Sequence, residues 1–389
     1  MASKNKNKRR EINSNVATVL KKIPLVSVII PVYNSAKFIS QTLESLLYQT
    51  MKDFEVVVVD DCSTDNSVEV VESFAEKFGG RLHVIKLPKN TGTPGLPRNI
   101  GIQFARGKYI CFLDSDDFFT KTALEELSTL AEKFQAEVVH TDTFFMLFET
   151  KPKSDEEYLM FKNLEELLAP ENLTVCQRQK LPLTKEPIFE TTNLEQRIVY
   201  WINLGYNWES VTMFCKRNFL IANQIKFPKL MNSEDRVFSF QLLCSAKKFL
   251  RIPNCTYIYR QRAESVSKKI FTDFAQHFNK WFYVMRDELN ELEKIMEDIE
   301  LFSKRPDYRY AVLNLSFRGP FSRIAYSNFR VPSTVLNDFV KKEFHPEEAG
   351  LALHLFNSVA IYQRLSMQYQ QENIRLKKEL QKYKSAQIK

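Results

Sequence analysis

The segment at residues 107–119, GKYICFLDSDDFF, constrains the fold of this chain more than any other. Its glycine leads into five apolar residues, and a short apolar run between turn residues is typical of a buried strand in a parallel sheet. The run ends in the acidic sequence DSDD at residues 114–117. Carboxylates at a buried strand end are costly without a positive partner, and their oxygens suit a hard divalent cation. The segment therefore predicts a cation site at a strand end, with a solvated turn before a helix over residues 121–134 as the alternative.

Three other apolar runs precede this strand, at residues 25–32, 54–59 and 82–87, and helical patterns separate them. One helix follows Ser35, which we expect to cap it, and another ends near Phe78. The alternation predicts a doubly wound, Rossmann-like α/β domain with a mostly parallel sheet. Because ligands bind at the carboxyl ends of such strands, one crevice is expected to collect four side chains: Tyr33, Asp61, Asp114 and Asp116.

Composition and missing motifs exclude several classes of protein. The sequence contains neither GxGxxG nor GxxxxGK[ST], so a dinucleotide-binding fold or a P-loop is not indicated. Hydrophobic residues make up 44% and charged residues 26% of the 389 positions, as in soluble globular proteins. The six cysteines are scattered without metal-ligand spacing, which predicts reduced core residues of a cytosolic protein.

The net charge of +8 is concentrated at the two ends of the chain. Residues 1–22 are predicted to form a basic tail, and such ends are either simply solvated or attracted to anionic lipids or polymers. We expect no nucleic-acid partner, because no recognition motif accompanies the charge. With no apolar run of ~18 residues and no signal-like segment, the predicted location is cytoplasmic, with peripheral association at the inner face of the membrane as a further expectation.

Three motifs in order carry a resemblance to a known family: VSVIIPVYN, VVVDDCSTDNS and RNIGIQFARGKYICFLDSDD. They look like the nucleotide-sugar half of a family-2 glycosyltransferase with the GT-A fold. The loop NTGTPGLPRN is similar to that of bacterial wall teichoic acid and related surface-polysaccharide glycosyltransferases. The resemblance covers residues 25–268 and implies a nucleotide-sugar half over residues 23–143 and an acceptor half over residues 144–269.

The resemblance also implies a donor site. Tyr33 would lie against the base, Asp61 would accept a hydrogen bond from the uracil imide, and a divalent cation, Mn²⁺ or Mg²⁺, would bind Asp116 and Asp114. Arg260, Arg262 and Ser265 in YIYRQRAESVS resemble the segment that closes over the diphosphate, and arginine suits forked phosphate contacts. Arg98 suits a phosphate or an acceptor anion, with a purely structural role as the alternative. The full set of expected donor contacts is Pro31, Tyr33, Asp61, Arg98, Asp114, Ser115, Arg260, Arg262 and Ser265.

The sequence FPKLMNSEDRVFSF at residues 227–240 contains the expected catalytic group. On its own it indicates a helix start with acidic residues in the first turn. In the family that it resembles, an Asp of an ED pair here is the catalytic base, so Asp235 is the expected base and Glu234 its neighbour.

Beyond residue 269 no motif is recognised, and residues 270–389 are predicted to form a helical module. Residues 274–302 have the apolar spacing of one long amphipathic helix. Near the end, tyrosine and leucine recur every seven residues at Tyr362, Tyr369, Leu376 and Tyr383. This spacing predicts either a coiled coil that joins copies of the chain or a terminal helix packed on its own domain.

These patterns together predict an inverting, metal-dependent glycosyltransferase, either a hexosyl- or an N-acetylhexosaminyltransferase. Its expected donor is a UDP-sugar, and its expected acceptor is a hydroxyl of a bacterial cell-surface glycan or a polyol-phosphate polymer. A capsule or lipopolysaccharide transferase with another donor and a non-catalytic nucleotide-sugar- or polymer-binding scaffold are the alternatives. A nucleotidyltransferase is disfavoured, because PVYNSAKF supplies no phosphate-binding loop.

Overall fold

The computed structural model describes residues 23–148, 163–176, 182–203, 209–262, 273–328 and 333–356, together with residues 358, 368–369, 371–372 and 375. The chain divides into two compact units. The first comprises residues 1–200, 204–229 and 234–263, and the second comprises residues 201–203, 230–233 and 264–389. Ser265 and most of the seven-residue repeat lie outside the described residues.

Twelve strands and nine helices are described up to residue 262. The strands are β1 Val26–Val32, β2 Phe54–Asp60, β3 Leu82–Lys86, β4 Tyr109–Phe112, β5 Phe118–Phe119, β6 Val138–Thr141, β7 Phe144–Leu147, β8 Leu173–Cys176, β9 Ile188–Phe189, β10 Met213–Lys216, β11 Phe249–Ile252 and β12 Tyr257–Arg260. The helices are α1 Ile39–Leu47, α2 Ser67–Glu72, α3 Ala75–Phe78, α4 Gly95–Phe104, α5 Ala123–Phe134, α6 Leu164–Leu167, α7 Leu194–Asn203, α8 Arg217–Ala222 and α9 Glu234–Ser245.

The central sheet has eight strands in the order β3-β2-β1-β4-β10-β6-β11-β9. Strands β3, β2, β1 and β4 are parallel, whereas β10 runs antiparallel to both of its neighbours. Alternate residues of β1 enter different apolar clusters: Val28 and Ile30 pack with α1 and α5, and Ile29 packs with α4, α8 and α9. Both faces are therefore covered by helices, which explains why β1 is apolar along its whole length. The predicted doubly wound, mostly parallel sheet is confirmed.

A second, four-stranded sheet, in the order β5-β12-β7-β8, was not predicted from the sequence. Its strand β5 follows the DSDD sequence directly, and it pairs antiparallel with β12 through Phe119 and Tyr257. Strand β12 also pairs parallel with β7. The acidic turn at the end of β4 is therefore fixed beside the strand that begins the expected closing segment.

A buried ion cluster anchors the segment before β9 to the central sheet. Arg251 of β11 donates from Nε and Nη2 to the two oxygens of Asp142, at 2.8 and 2.9 Å, and from Nη1 to Glu190 Oε1 at 3.1 Å. The Asp142 carboxylate also accepts from the backbone N–H of Thr184 at 2.8 Å. Although burial opposes it, hydrogen bonds from His140 and Arg251 lower the pKa of Asp142 to about 2. This cluster is structural and lies outside the expected site.

The second unit is helical, which confirms the predicted helical C-terminal region. It contains α10 Phe274–Glu297, α11 Glu300–Lys304, α12 Pro306–Asn328 and α13 Ser333–Glu343, and residues 346–356 are also helical. The side chain of Asp273 caps α10 by accepting from the N–H groups of Ala275 and Gln276. Aromatic residues fill its core, where Phe278 and Phe282 of α10 pack against Phe339 and Phe356. Within the described residues, no helix is both long enough and apolar enough to cross a membrane.

Candidate active site

One buried arginine joins the two halves of the expected site. Arg98 donates from Nη2 to Asp114 Oδ1 at 2.8 Å and from Nη1 to Asp235 Oδ1 at 2.9 Å, and its Nη1 lies 3.6 Å from Glu234 Oε1. Asp114 follows β4, and Glu234 and Asp235 begin α9. The structure therefore brings together the expected cation ligand, the expected base and its neighbour around a single guanidinium.

The start of α4 fits closely against the segment before α9. A side chain at Gly95 would meet Phe227, Pro228 and Glu234 at 3.2 to 3.4 Å, so this position favours glycine. Asn99 donates to the carbonyl of Phe227 at 2.8 Å and accepts from its N–H at 2.9 Å. These contacts explain why the sequence GLPRN forms a helix that points Arg98 toward α9.

The carboxylates face outward while the arginine beneath them is buried. The Arg98 side chain is 3% exposed, whereas those of Asp235 and Asp114 are 30% and 36% exposed. Burial, followed by the charge of Asp235, raises the pKa of Glu234 to about 7. Burial also raises the pKa of Asp235, and the positive charge of Arg98 opposes that increase. An acid–base group with a partly exposed carboxylate can receive a proton from a bound hydroxyl.

The DSDD turn has one buried aspartate, Asp117, and one aspartate, Asp116, that pairs with a partly exposed arginine. Asp117 is buried and accepts hydrogen bonds from the Tyr257 hydroxyl and, at 2.7 Å, from the N–H of Arg260. Asp116 instead pairs with Arg262 at 3.2 Å and keeps 23% of its side chain exposed. Burial, followed by the charge of Asp114, raises the pKa of Asp116. The turn thus presents Asp114 and Asp116 to the crevice while Asp117 anchors it to β12.

Asp114 and Asp116 fit a divalent cation with a small number of protein ligands. Both supply carboxylate oxygens, the donors that Mg²⁺ and Mn²⁺ prefer, and both are partly exposed. No group of three or more His, Cys, Asp and Glu side chains suited to a metal is found among the described residues. The protein would therefore contribute one or two carboxylates, an arrangement in which substrate phosphates and water complete the coordination of Mg²⁺.

Asp61 and Tyr33 lie at neighbouring strand ends. Tyr33 follows β1 and is 47% exposed, so its ring is available to a ligand. Asp61 follows β2 and is buried; its two oxygens accept from the N–H of Thr91 at 2.9 and 3.0 Å, and Oδ2 also accepts from the Thr91 hydroxyl at 2.9 Å. Burial raises the pKa of Asp61, and hydrogen bonds from Thr91 and from the N–H of Gly92 oppose the increase. Since a carboxylate has about four acceptor positions, these three donor groups, the Thr91 N–H, the Thr91 hydroxyl and the Gly92 N–H, leave capacity for one more donor.

Pro31 and Ser115 are fixed by the sheet and the acidic turn. Pro31 lies in β1 and pairs with Val59 of β2. The pairing of β1 with β4 ends at Ile29, two residues earlier. A proline is tolerated there because its missing N–H breaks no second ladder. The Ser115 hydroxyl lies 2.6 Å from that of Ser35. The expectation that Ser35 caps the first helix is wrong: α1 begins at Ile39 with no side-chain cap, and Ser35 contacts the turn instead.

Two of the arginines expected at the diphosphate have other surroundings. Arg260 is 1% exposed, lies 4.6 Å from the Phe38 ring and 4.5 Å from the Phe118 ring, and donates to Gln41 at 2.8 Å. Arg98 is buried among carboxylates. Arg262, by contrast, pairs with Asp116 and is partly exposed. Of Arg98, Arg260 and Arg262, the position of Arg262 therefore suits a bound phosphate best.

Sequence reasoning missed the pairing of Arg98 with Asp235 and the anchoring role of Asp117. A signal for Arg98 was present, because it stands four residues before Ile102, which is buried on α4, and positions i and i+4 share a helix face. An arginine on a buried face requires a charged partner, such as a carboxylate. Nothing in the sequence distinguishes Asp117 from its two acidic neighbours.

Comparisons with known proteins find similar glycosyltransferases. The model of the family described as "Glycosyl transferase family 2" matches residues 27–187. The poly(ribitol-phosphate) beta-N-acetylglucosaminyltransferase TarS of Staphylococcus aureus is 30% identical over 241 residues, which is 61% of this chain and 36% of TarS. The poly(ribitol-phosphate) beta-glucosyltransferase of Bacillus spizizenii is 30% identical over 60% of this chain and 32% of its own length. The chain thus spans about a third of the length of these relatives.

The solved structure of TarS residues 1–349 is similar over most of its length. It is 26% identical with a TM-score of 0.57, and the match covers 89% of this chain and 91% of that one. A complex of the same fragment with UDP-GlcNAc has a TM-score of 0.58 at 24% identity and shows the same fold. Residues 27–187 of this chain therefore resemble glycosyltransferase family 2, and the chain shares its fold with a fragment of TarS, a wall teichoic acid glycosyltransferase.

Proposed function

We propose that this protein transfers a sugar from a UDP-sugar to a hydroxyl of a polyol-phosphate polymer, with inversion at the anomeric carbon. The observation that carries the proposal is the contact of Arg98 with both Asp114 and Asp235, at 2.8 and 2.9 Å. A transferase needs a donor phosphate site and a proton acceptor close together, and these two carboxylates supply one group for each task.

The donor contacts proposed at the strand ends are uracil with Tyr33 and Asp61. An exposed ring can stack on a base, and the remaining acceptor position of Asp61 suits the uracil N3–H. Asp116 and Asp114 would hold a divalent cation, which would neutralise the negative charge of the departing diphosphate. Arg262 is proposed to contact the same diphosphate, because it is the partly exposed cation beside Asp116.

Asp235 is proposed as the general base. The acceptor oxygen forms a bond to the anomeric carbon while the bond from that carbon to the UDP oxygen breaks, and the hydroxyl proton passes to Asp235. The departing UDP keeps the electron pair of the broken bond. A single displacement of this kind inverts the configuration. Glu234, the neighbouring residue on α9, lies about 100° away around the helix and is not expected to reach the same hydroxyl.

The choice of substrates rests on the relatives. TarS is named for transfer of N-acetylglucosamine and the Bacillus spizizenii enzyme for transfer of glucose, both to poly(ribitol-phosphate), and a TarS fragment was solved with UDP-GlcNAc. We therefore propose UDP-GlcNAc or UDP-glucose as donor and a poly(polyol-phosphate) as acceptor.

The test is a transfer assay with a panel of UDP-, GDP-, CDP- and dTDP-sugars, with Mn²⁺ or Mg²⁺, on purified poly(ribitol-phosphate). We expect transfer from one of the UDP-sugars and a loss of about 10²- to 10⁴-fold in the Asp235→Asn variant, which cannot accept a proton. Affinity for UDP should be retained in that variant. Transfer from no UDP-sugar would refute the proposed donor, and near-normal transfer by Asp235→Asn would move the base to another carboxylate.

A further inference from the structure

Arg98 contacts the proposed base more directly than it can contact a donor phosphate. Its two terminal nitrogens are each taken by a carboxylate, from Asp114 on one side and Asp235 on the other. The side chain is 3% exposed. The guanidinium carbon also lies 5.2 Å from the Phe227 ring, which closes one side of its pocket. Because the side chain is almost fully buried beneath the two carboxylates, a phosphate has little access to this guanidinium.

The backbone around Arg98 is fixed relative to Asp235. The paired hydrogen bonds between Asn99 and Phe227, at 2.8 and 2.9 Å, tie α4 to the chain just before α9. The close fit at Gly95 joins the same two segments. Because the backbone of α4 and the backbone before α9 are both held in place, the hydrogen bond from the Arg98 guanidinium determines the orientation of the Asp235 carboxylate.

The charge of Arg98 matters as much as its shape. Burial raises the pKa of Asp235, and the negative charges of Asp114 and Glu209 add to the increase. Glu234 is a third acidic group beside Asp235, so these side chains form a negative cluster. The positive charge of Arg98 offsets this cluster and favours the ionised form of Asp235, the form that accepts a proton.

We infer that Arg98 is a positioning residue for Asp235, which orients the carboxylate of the base and holds it beside the donor-side Asp114. The inference rests on the proposed role of Asp235. It differs from a phosphate-binding role, because Arg98 then affects the rate of transfer at saturating substrate and leaves donor affinity nearly unchanged.

Arg98→Lys is the informative variant. Lysine keeps the positive charge, but a single ammonium cannot reproduce a planar fork that reaches two carboxylates from opposite sides. The control is Arg251→Lys: Arg251 is also buried and also bridges two carboxylates, Asp142 and Glu190, outside the site. Both substitutions should lower the melting temperature, and only the first should slow transfer.

The experiment measures kcat, the donor KM and UDP affinity for wild type, Arg98→Lys, Arg251→Lys, Asp235→Asn and the Arg98→Lys/Asp235→Asn double variant. We expect kcat of Arg98→Lys to fall about 10- to 100-fold, since misplacing a catalytic group by about 1 Å can cost that much. Its UDP affinity should change by less than about threefold, and the double variant should be no slower than Asp235→Asn alone. Arg251→Lys should keep the wild-type kcat.

Three results would overturn the inference. A large loss of UDP affinity in Arg98→Lys would place the residue at the donor phosphates, and multiplying losses in the double variant would mean that it does not act through Asp235. An equal loss of kcat in Arg251→Lys would reduce the effect to general destabilisation. If the wild type transfers no sugar, the proposed function and the inference both fail. If the wild type transfers sugar and one of the three results above is found, only the role of Arg98 is refuted.

Discussion

In the proposed donor site, Asp61 would distinguish between pyrimidine bases. Its remaining acceptor position suits the N3–H of uracil, whereas cytosine presents an unprotonated N3 that would face the carboxylate as a second acceptor. We expect CDP to bind more weakly than UDP by about 1–3 kcal/mol in calorimetry with Mn²⁺. An Asp61→Asn variant is the control: its amide can donate as well as accept, so the preference should shrink. Equal affinities of wild type for UDP and CDP would contradict the role given to Asp61.

Glu234 should make stability depend on pH. Its pKa is raised from the usual value to about 7 by burial and then by the charge of Asp235. The folded protein therefore binds this proton more tightly than the unfolded chain. The contribution of Glu234 to the free energy of unfolding is therefore complete below about pH 4.5, and it is lost as the pH rises through about 7.

Replacing Glu234 by Gln removes that titration. Relative to wild type, Glu234→Gln should gain on the order of 1–3 kcal/mol of stability at pH 8 and almost nothing at pH 4.5. Thermal melts of both proteins in EDTA at the two pH values measure the difference without a bound cation. An equal change in melting temperature at both pH values would mean that Glu234 keeps an ordinary pKa in the folded protein.

The residue scale also shows where sequence reasoning ends. Tyr33, Asp61 and Asp114 could be placed in one crevice, because residues that follow parallel strands meet at one edge of a sheet. Whether an arginine faces a ligand or the interior could not be predicted in the same way. Arg260 lies between the rings of Phe38 and Phe118, which are distant in the sequence. Its environment therefore depends on tertiary packing that no local pattern encodes.

Among the elements, the DSDD turn after β4 has a testable role of its own. Asp116 is partly exposed and pairs with Arg262, so Asp116→Asn should remove a proposed cation ligand with little effect on folding. We expect Mn²⁺ binding, followed by electron paramagnetic resonance, to weaken by at least about tenfold, and sugar transfer to fall with it. Glu132→Gln, at the opposite end of β4 where Glu132 pairs with Lys108, is a matched control that should bind Mn²⁺ normally. Unchanged Mn²⁺ affinity in Asp116→Asn would remove this residue from the proposed metal site.

The elements that sequence patterns predicted well are the ones stabilised by burial along their whole length. Strands β1 and β2 are apolar at nearly every position and were predicted within one residue of each end. Strand β5 has two residues and forms only through pairing with β12, which no local signal reveals. Two helices were predicted too long. The helix expected to end near Phe78 is divided into α2 and α3, and the helix predicted over 274–302 ends at Glu297, before the extended residue Ile299.

At the scale of the whole molecule, similarity and structure cover different parts of the chain. The family model ends at residue 187, and the fold matches a TarS fragment over 89% of this chain. The basic residues 1–22 lie outside the described residues, so peripheral attraction to an anionic membrane stays a prediction. The second unit has its own aromatic core around Phe278 and Phe339. Because no motif is recognised beyond residue 269, residues 270–389 are expected to act separately from donor chemistry.

The last prediction concerns that helical module and the seven-residue repeat near the end of the chain. A chain that ends at Ala360 removes Tyr362, Tyr369, Leu376 and Tyr383, the residues that would form a coiled-coil seam. Because every proposed donor and catalytic group lies before residue 270, the shortened protein should keep metal-dependent hydrolysis of the donor. If the repeat joins copies of the chain, light scattering should show a smaller particle than the full chain at the same concentration. An unchanged particle mass would instead mean that the repeat does not hold copies together, and a loss of donor hydrolysis would mean that this region supports the active site.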